Sequence, residues 1–169
     1  MEVPFDRAPH DFSEPKDTKF QVNAAHMFAN HVVLGGSLEP EIKADSEEVT
    51  VNLEGTLGYI WALNHVLSLS GSVGVGERFQ QETSGGSFPY YVLRIHADIH
   101  FDKRWTWNAI TYRYRDAFDT ANEFNTPEVA TGITLKIDDR WSLNAKYYYG
   151  WKEGSPDHQG LAIAIKHSF

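Results

Sequence analysis

Hydrophobic and polar residues alternate one by one along most of the chain. Apolar side chains occupy nearly all odd positions from 49 to 63, from 91 to 101 and from 141 to 151, and polar, small or charged residues occupy most of the positions between them. Successive side chains of a β-strand point to opposite faces, so this pattern predicts strands with one apolar and one polar face. Little of the chain shows a helical period of 3.6, and the chain is predicted to be all-β.

Short and long connections alternate between these strands. Three-residue loops at 29–31, 64–66, 102–104 and 138–140 recur every 35 to 38 residues and keep the apolar face in phase on both sides. Such loops are typical of β-hairpins. Longer polar connections lie between them at 44–48, 81–88, 119–126 and 153–159. The connections predict an antiparallel meander with one tight-turn end and one long-loop end.

The number of strands follows less directly from the pattern. Nine segments look like strands, at 18–28, 32–43, 49–63, 67–80, 89–101, 105–118, 127–137, 141–152 and 160–169. Single-chain bacterial barrels have even strand numbers. We therefore predict ten strands, with eight strands plus a tucked N-terminal segment as the alternative. Residues 1–17, with prolines at 4, 9 and 15, form an N-terminal segment that is either a first strand or a plug, and residues 18–169 form the barrel.

The distribution of aromatic and small residues favours a membrane barrel over a soluble sandwich or lipocalin-like barrel. The polar face of residues 68–76 consists of Ser and Gly, which suit a crowded interior. Aromatic side chains on the apolar face gather near both strand ends, as in the two interfacial girdles of a transmembrane barrel. The predicted girdle residues are Tyr59, Trp61, Phe101, Trp105, Trp107, Trp141, Tyr149 and Trp151. The predicted fold is a transmembrane antiparallel up-and-down β-barrel, exported after removal of a signal peptide.

The last segment, GLAIAIKHSF, alternates apolar residues and closes on Phe169. Over residues 18–169 the chain thereby resembles bacterial outer-membrane β-barrel proteins. The resemblance implies residence in the outer membrane, contact with the lipid bilayer and lipopolysaccharide, and recognition of Phe169 by the barrel-assembly machinery. It also implies periplasmic tight turns and extracellular long loops. The strings KFQVNAAHMFANHVVLGG and RYRDAF are similar to the oligogalacturonate-specific porins.

Composition excludes several classes of function. The 169 residues include 15 Lys and Arg against 23 Asp and Glu, for a formal charge of −8, and no Cys. The acidic balance argues against a nucleic-acid partner, which requires a clustered basic face. The absence of Cys removes disulfides, thiolate metal sites and cysteine nucleophiles. The apolar runs of about five residues are far shorter than the ~20 that a membrane helix requires.

The polar face of the strands predicts a charged lumen. We predict that the lumen is lined by Glu39, Glu54, Arg94, His96, Asp98, Tyr112, Lys146 and Lys166. Charges at mid-membrane depth must pair with each other or contact water. A barrel of eight to ten strands is little wider than its side chains, so both a plug and a narrow conduit are open. Arg113 and Arg115 are expected at the rim, facing lipopolysaccharide phosphates.

Other chemistry has weaker support in the sequence. His96 and His100 share a face, but four residues of a strand span about 13 Å, too far to chelate one ion, so we expect no metal and no cofactor. Ser155, Asp157 and His158 read as a polar turn rather than a catalytic cluster, and we expect no enzyme. The leading function is a small channel for small polar solutes. The alternatives are a plugged structural or interaction barrel acting through its loops and, third, a lipid-modifying enzyme.

Overall fold

The computed structural model describes residues 1–44, 48–80 and 86–168. Parts of the predicted loops at 44–48 and 81–88, and Phe169, lie outside the described residues. The strands, which we number in chain order, are β1 Glu2–Ala8, β2 Asp11–Lys19, β3 Val22–Met27, β4 Val32–Lys43, β5 Val49–Ala62, β6 Leu67–Gln80, β7 Phe88–His100, β8 Trp105–Ala117, β9 Glu128–Lys136, β10 Trp141–Lys152 and β11 Ser155–His167. A short 3-10 helix, Thr120–Asn122, lies between β8 and β9.

The strands form one closed antiparallel barrel. From β3 to β11 each strand pairs with the next, β11 pairs with β1, and β1 pairs with β2. Strand β2 closes the ring by pairing with the C-terminal part of β4, at Asp17–Lys43 and Lys19–Glu41. Strand β3 pairs with the N-terminal part of the same β4. Strands β2 and β3 therefore share one position in the ring, which has ten positions, and the prediction of a ten-stranded meander barrel is confirmed.

The four tight turns lie together at one end of the barrel. Each is closed by a backbone hydrogen bond between residues four apart, such as the N–H of Phe101 donating to the carbonyl of Trp105 at 3.0 Å. The first or second loop residue is Asn or Asp, whose side chain accepts backbone N–H groups two and three residues ahead in the turns that begin at Asn64, Asp102 and Asp138. These local bonds favour the turn.

The outer face of the barrel is apolar over its middle. Leu57 and Val73 are more than half exposed, as lipid-facing side chains of an isolated barrel should be. The predicted girdle residues also lie on this face, six of them more than a third exposed. Tyr149 and Trp151 are half-buried against each other, with ring centroids 4.8 Å apart. No helix among the described residues is long and apolar enough to span a membrane.

The predicted long connection at 153–159 is wrong. Strand β10 pairs with β11 up to Lys152–Ser155, so the connection is a two-residue hairpin. Glu153 and Gly154 both have positive φ angles, +48° and +78°. Positive φ at both central residues is the requirement of a type I′ turn, whose twist matches that of the flanking strands. The polar residues that follow belong to the strand, since this part of it extends beyond the apolar band.

A β-bulge in β8 reverses the faces to which the side chains of its C-terminal half point. Asn108 pairs with Gly132 and Thr111 pairs with Ala130, so that two residues of β8 face Thr131 alone. The hydroxyl of Thr131 donates to the carbonyl of Asn108 at 3.2 Å and accepts from the indole N–H of Trp107 at 3.1 Å. An inserted residue moves every later side chain to the opposite face. C-terminal to the bulge, the side chains of the odd-numbered residues of β8 point into the lumen.

The tight turn at Asp102 gives a pH-dependent prediction. The N–H groups of Arg104 and Trp105 hold the pKa of the Asp102 carboxyl below its ordinary value. A depressed pKa stabilises the fold above the ordinary value, and this stabilisation is lost as the pH falls through the native pKa. Asp102→Ala should therefore lower the unfolding temperature at pH 7, and the deficit should become smaller as the pH falls below the ordinary Asp pKa. Thermal unfolding followed by Trp fluorescence, with Lys103→Ala as control, tests this, and a deficit of equal size at pH 7 and pH 2 contradicts it.

Candidate functional site

Charged side chains cross the interior of the barrel in an alternating chain, which we call the septum. It consists of Glu54, Arg115, Glu39, Arg113 and Glu128. The guanidinium of Arg115 contacts Glu54 at 2.5 Å and Glu39 at 2.9 Å. The guanidinium of Arg113 lies 3.6 Å from Glu39 and 2.8 Å from Glu128. Because β4 and β5 lie across the ring from β8 and β9, the septum spans the lumen.

Neighbouring polar groups fix Glu54 and Glu39, the two carboxylates of the septum that contact Arg115. Glu54 also accepts hydrogen bonds from the hydroxyl of Tyr90 at 3.0 Å and from Arg94. Glu39 accepts from the amide of Asn52 at 3.1 Å, and that amide oxygen accepts from Arg78 at 3.1 Å. Both carboxylates are at most 5% exposed. An ionised group so deeply buried is tolerable only when several donors neutralise it.

A second group of charges lies beside the septum, against β1. The ammonium of Lys19 lies 2.5 Å from the carboxylate of Asp6, which also accepts the hydroxyl of Tyr148. Lys19 is also 4.0 Å from Glu41. Asp6 is 1% exposed and Tyr148 is 3% exposed. This group ties the N-terminal strands to β4 and β10 and narrows the lumen on the side of β1.

Two chambers lie on either side of the septum. The outer chamber, toward the long loops, has a volume of about 430 Å³ and is lined by residues such as Lys43, Arg78 and Phe124. The inner chamber, toward the tight turns, has about 450 Å³ and is lined by residues such as Ser72, His96 and Lys166. Between them lies a void of about 20 Å³, which is room for a single water molecule. Arg113 lines all three spaces.

The structure brings most of the predicted lumen residues together. Arg94, His96, Asp98, Lys146 and Lys166 line the inner chamber. The ammonium of Lys146 lies 2.8 Å from Glu2, the amide of Asn108 donates to Asp98 at 2.8 Å, and His96 shares a hydrogen bond with Thr111 at 3.1 Å. Glu39 and Glu54 lie in the septum. Facing these charges, the part of β4 to β6 that lines the inner chamber carries short side chains, including Ser37, Thr56 and Ser72.

Three residues of β8 were placed on the wrong face by the sequence analysis. Tyr112 was predicted in the lumen, but it pairs with Ile95, which is 47% exposed on the outer face. Arg115 was expected at the rim, but it is 3% exposed in the septum, together with Arg113. The cause is the bulge. The sequence contains its signal, since the apolar positions of β8 shift from Trp105 and Trp107 to Ile110 and Tyr112.

The histidine beside the last hairpin has a structural environment. His158 is 5% exposed and shares hydrogen bonds with Asp157 at 2.9 Å and with Glu128 at 3.3 Å. Both ring nitrogens therefore contact carboxylates, and neither contacts the hydroxyl of Ser155. A serine nucleophile needs a base within hydrogen-bond reach. Within the described parts of the chain, no cluster of three or more His, Asp or Glu side chains is arranged to hold a metal ion.

Comparison with known families identifies the chain. Residues 23–164 match the model of the family described as "Putative MetA-pathway of phenol degradation". The chain belongs to this family. The match begins in β3 and ends in β11. The matched residues therefore cover most of the barrel and include every residue of the septum. No curated protein matches the chain in sequence.

The solved structures that match the chain include porins and an outer-membrane phospholipase. A NanC porin superposes with a TM-score of 0.61 at 10% identity, over 99% of this chain and 98% of that chain. The KdgM porin gives 0.46 at 16% identity, over 100% and 99% of the two chains. Outer membrane phospholipase A from Escherichia coli gives 0.46 at 10% identity, over 99% and 95%. The NanC comparison shows that this member of the phenol-degradation family has the fold of a small porin.

The central position of Arg115 predicts a large loss of stability when it is removed. In Arg115→Met, the carboxylates of Glu39 and Glu54 lose their shared partner inside the barrel. Leaving a buried charge without its partner costs about 3–5 kcal/mol. The free energy of unfolding should fall by that amount in urea titrations of the protein folded into lipid vesicles. Lys103→Met, in an exposed turn, is the control.

Neutralising the opposite charge sharpens this test. If the loss comes from negative charge that Arg115 no longer neutralises, the double variant Arg115→Met with Glu54→Gln should recover part of it, because one buried charge is then gone. Equal losses in the single and double variants would show that packing of the arginine stem, and not its charge, stabilises the barrel.

Proposed function

We propose that the protein is a narrow channel for small polar solutes in the bacterial outer membrane. The lumen contains two chambers, one on each side of the septum. This arrangement is the observation that carries the proposal. The two chambers have volumes of about 430 and 450 Å³, far more than one water molecule occupies. A barrel whose only purpose is stability would fill its interior with side chains, as eight-stranded barrels do.

The septum is the proposed constriction of this channel. Its charges alternate in sign, so a small solute that forms hydrogen bonds can exchange with one ion pair at a time. Arg113 is the natural moving part, because it lines both chambers and the void between them and is less buried than Arg115. We propose that Glu39, Glu54, Arg94, His96, Asp98, Lys146 and Lys166 line the path. With both signs present, ion selectivity should be weak.

The orientation and partners of the barrel belong to the same proposal. The apolar outer face and its aromatic girdle support insertion into a bilayer, with the tight turns on the periplasmic side and the long loops outside. Lipopolysaccharide would then contact the long-loop rim, and the barrel-assembly machinery would read the C-terminal strand. Residues 1–17 belong in this proposal to the barrel wall and not to a plug, since β1 and most of β2 are paired strands.

The family suggests a class of solute to try first. Its description names the degradation of phenol, a small aromatic molecule with one hydroxyl group. Phenol itself is apolar enough to cross a lipid bilayer, whereas a hydroxybenzoate anion is not, so the anion distinguishes a channel from simple diffusion. We propose hydroxybenzoates as candidate solutes, and the arginines at the septum as the groups that would contact their carboxylate.

Single-channel recording tests the channel and its constriction. The wild-type protein in a planar bilayer should show small, discrete openings. Arg113→Ala should increase the conductance about two-fold or more, because it joins the two chambers by removing the side chain that lines both. Lys136→Ala is the matched control, since Lys136 is an exposed cation near a tight turn, paired with Asp139 at 2.8 Å. Its conductance should equal that of the wild type.

The same recordings contain the outcome that overturns the proposal. A wild-type barrel that stays silent, but conducts once Arg113 is replaced, would show that the septum is a permanent plug. The search for a function would then move to the loops. Silence of both proteins, with correct folding shown by the heat-dependent shift on a gel, would exclude a channel through the lumen.

A catalytic function is the weaker candidate. The fold resembles that of an outer-membrane phospholipase only at a level that shows no activity, and His158 contacts two carboxylates rather than a serine. We therefore propose that the barrel is not an enzyme. Mass spectrometry of lipid A from cells that express the protein would show a shift if this is wrong.

A further inference from the structure

One aromatic ring from a loop lies inside the charged outer chamber. Phe124 belongs to the connection between β8 and β9, and it is 7% exposed. It lines the outer chamber together with Phe88, and among the described residues of that lining these two are the only Phe, Tyr or Trp. The groups around this ring therefore show what kind of ring the chamber can recognise.

Three side chains of the barrel wall surround the Phe124 ring, in an arrangement that we call the cage. The ring of Phe88 packs against it at a centroid distance of 5.3 Å and an interplanar angle of 70°. The ring of Tyr90 does so at 5.0 Å and 61°. The guanidinium of Arg78 lies over the Phe124 ring, 5.1 Å from its centroid. Edge contacts between rings and a cation over a ring face favour an aromatic ring over an aliphatic group of the same size.

The cage keeps its shape through contacts that do not involve the loop. The hydroxyl of Tyr90 donates to Glu54 at 3.0 Å, and Arg78 donates to the amide oxygen of Asn52 at 3.1 Å. The Tyr90 ring also lies against the backbone of Gly76, where an added Cβ would be 2.4 Å from the ring. All of these groups belong to β5, β6 and β7. The strands thus position the cage, whereas the ring inside it comes from a loop.

The loop is attached to the barrel through this ring and through the residues that follow it. Residues 119–124 are all described, and their hydrogen bonds stay within the segment. Phe124 is the only buried residue among the six. The next attachment is the N–H of Thr126, which donates to the carbonyl of Arg115 at 2.9 Å. Withdrawal of the Phe124 ring therefore breaks no hydrogen bond between the segment 119–124 and a strand.

We propose that the cage is a binding site for the ring of a small aromatic solute, which takes the place of Phe124. The solute is a benzene ring with a small polar or anionic substituent, because the cage opens on a chamber lined by charged groups of both signs, such as Lys43 and Glu41. The inference rests on the proposed channel function and names the place where the channel recognises its solute. Phe124 competes for the cage, so the apparent affinity is reduced by the fraction of molecules whose cage is filled.

Calorimetric titration of the full chain in detergent micelles tests the site. The probes are 4-hydroxybenzoate and 4-hydroxycyclohexanecarboxylate, which carry the same substituents and charge on an aromatic and an aliphatic ring. Phe124→Ala should bind 4-hydroxybenzoate about 10-fold more tightly than the wild type, because the ring of the protein no longer competes. This variant should also bind 4-hydroxybenzoate about 10-fold more tightly than the cyclohexane compound.

A matched pair of arginine substitutions tests the role of the cage cation. Arg78→Met, added to Phe124→Ala, removes the guanidinium and keeps an apolar stem. The preference for the aromatic probe should fall about 5-fold, because the cation–π contact is lost. Arg140→Met in the same background is the control, since Arg140 is exposed in a tight turn, and the preference should not change. The heat-dependent gel shift checks the folding of each variant.

Displacement of Phe124 is followed with a spin label on a chain that keeps the cage and Phe124 intact. The protein has no Cys, so Ala121→Cys, at an exposed position of the 3-10 helix, carries a single label. Addition of 4-hydroxybenzoate should increase the mobility of this label, and the cyclohexane compound should leave it unchanged. A label on Lys103→Cys, in an exposed tight turn, should respond to neither probe.

Each contrary result overturns the proposal in a different way. Equal affinities of the wild type and Phe124→Ala for 4-hydroxybenzoate would show that Phe124 does not compete for the site. Equal affinities of Phe124→Ala for the two probes would show a cavity without preference for aromatic rings. Binding to the wild type without a change at the Ala121→Cys label would place the solute elsewhere in the lumen.

These measurements separate the cage from the channel, because none of them requires conduction. A barrel that is silent in a planar bilayer but gives the expected binding and label response would overturn the proposed function and support the cage. A barrel that conducts but shows neither response would support the channel and overturn the cage.

Discussion

The structure depends on the pairing of Arg115 with two carboxylates inside the barrel. Glu39 and Glu54 lie on adjacent strands, β4 and β5, and Arg115 approaches them from β8 across the lumen. Arg115 is buried between two carboxylates, and each of these has one further cationic partner, Arg94 for Glu54 and Arg113 for Glu39. Their contact therefore fixes how far apart the two walls stand, where the lumen is narrowest, and how its remaining space divides into an outer and an inner chamber.

The β-bulge at Asn108 is the local feature that makes this pairing possible. Without the additional residue, β8 would direct Tyr112 and Tyr114 into the lumen and Arg113 and Arg115 into lipid. A bulge costs ladder hydrogen bonds, and here the hydroxyl of Thr131 and the indole of Trp107 replace part of them. The backbone irregularity thus supplies two cations to an interior that holds several carboxylates. The bulge therefore determines both the local geometry of β8 and which of its charged side chains face the lumen.

The N-terminal strands are the least regularly paired part of the barrel wall. From β4 to β11 every strand has neighbours on both sides over most of its length. The N-terminal strands are short and irregular, with register shifts between β1 and β2 at Arg7 and Ala8. Ion pairs from Lys19 and Lys146 hold this region to the rest of the barrel. In this region, ion pairs between side chains supply part of the stabilisation that backbone hydrogen bonds supply in the other strands.

The sequence by itself determined the all-β class, the tight turns and the outward position of most aromatic residues, because side-chain alternation and turn residues act over a few neighbouring positions. It favoured ten strands over eight without deciding between them. It also indicated the charged lumen, since the polar face of each strand can be read directly. The tertiary structure decided which charges meet. The partners of Arg115 are 76 and 61 residues away, and one bulged residue reverses the face on which it lies. Strand pairing across the ring, and with it the septum and the two chambers, depends on closure of the whole barrel, which no local pattern encodes.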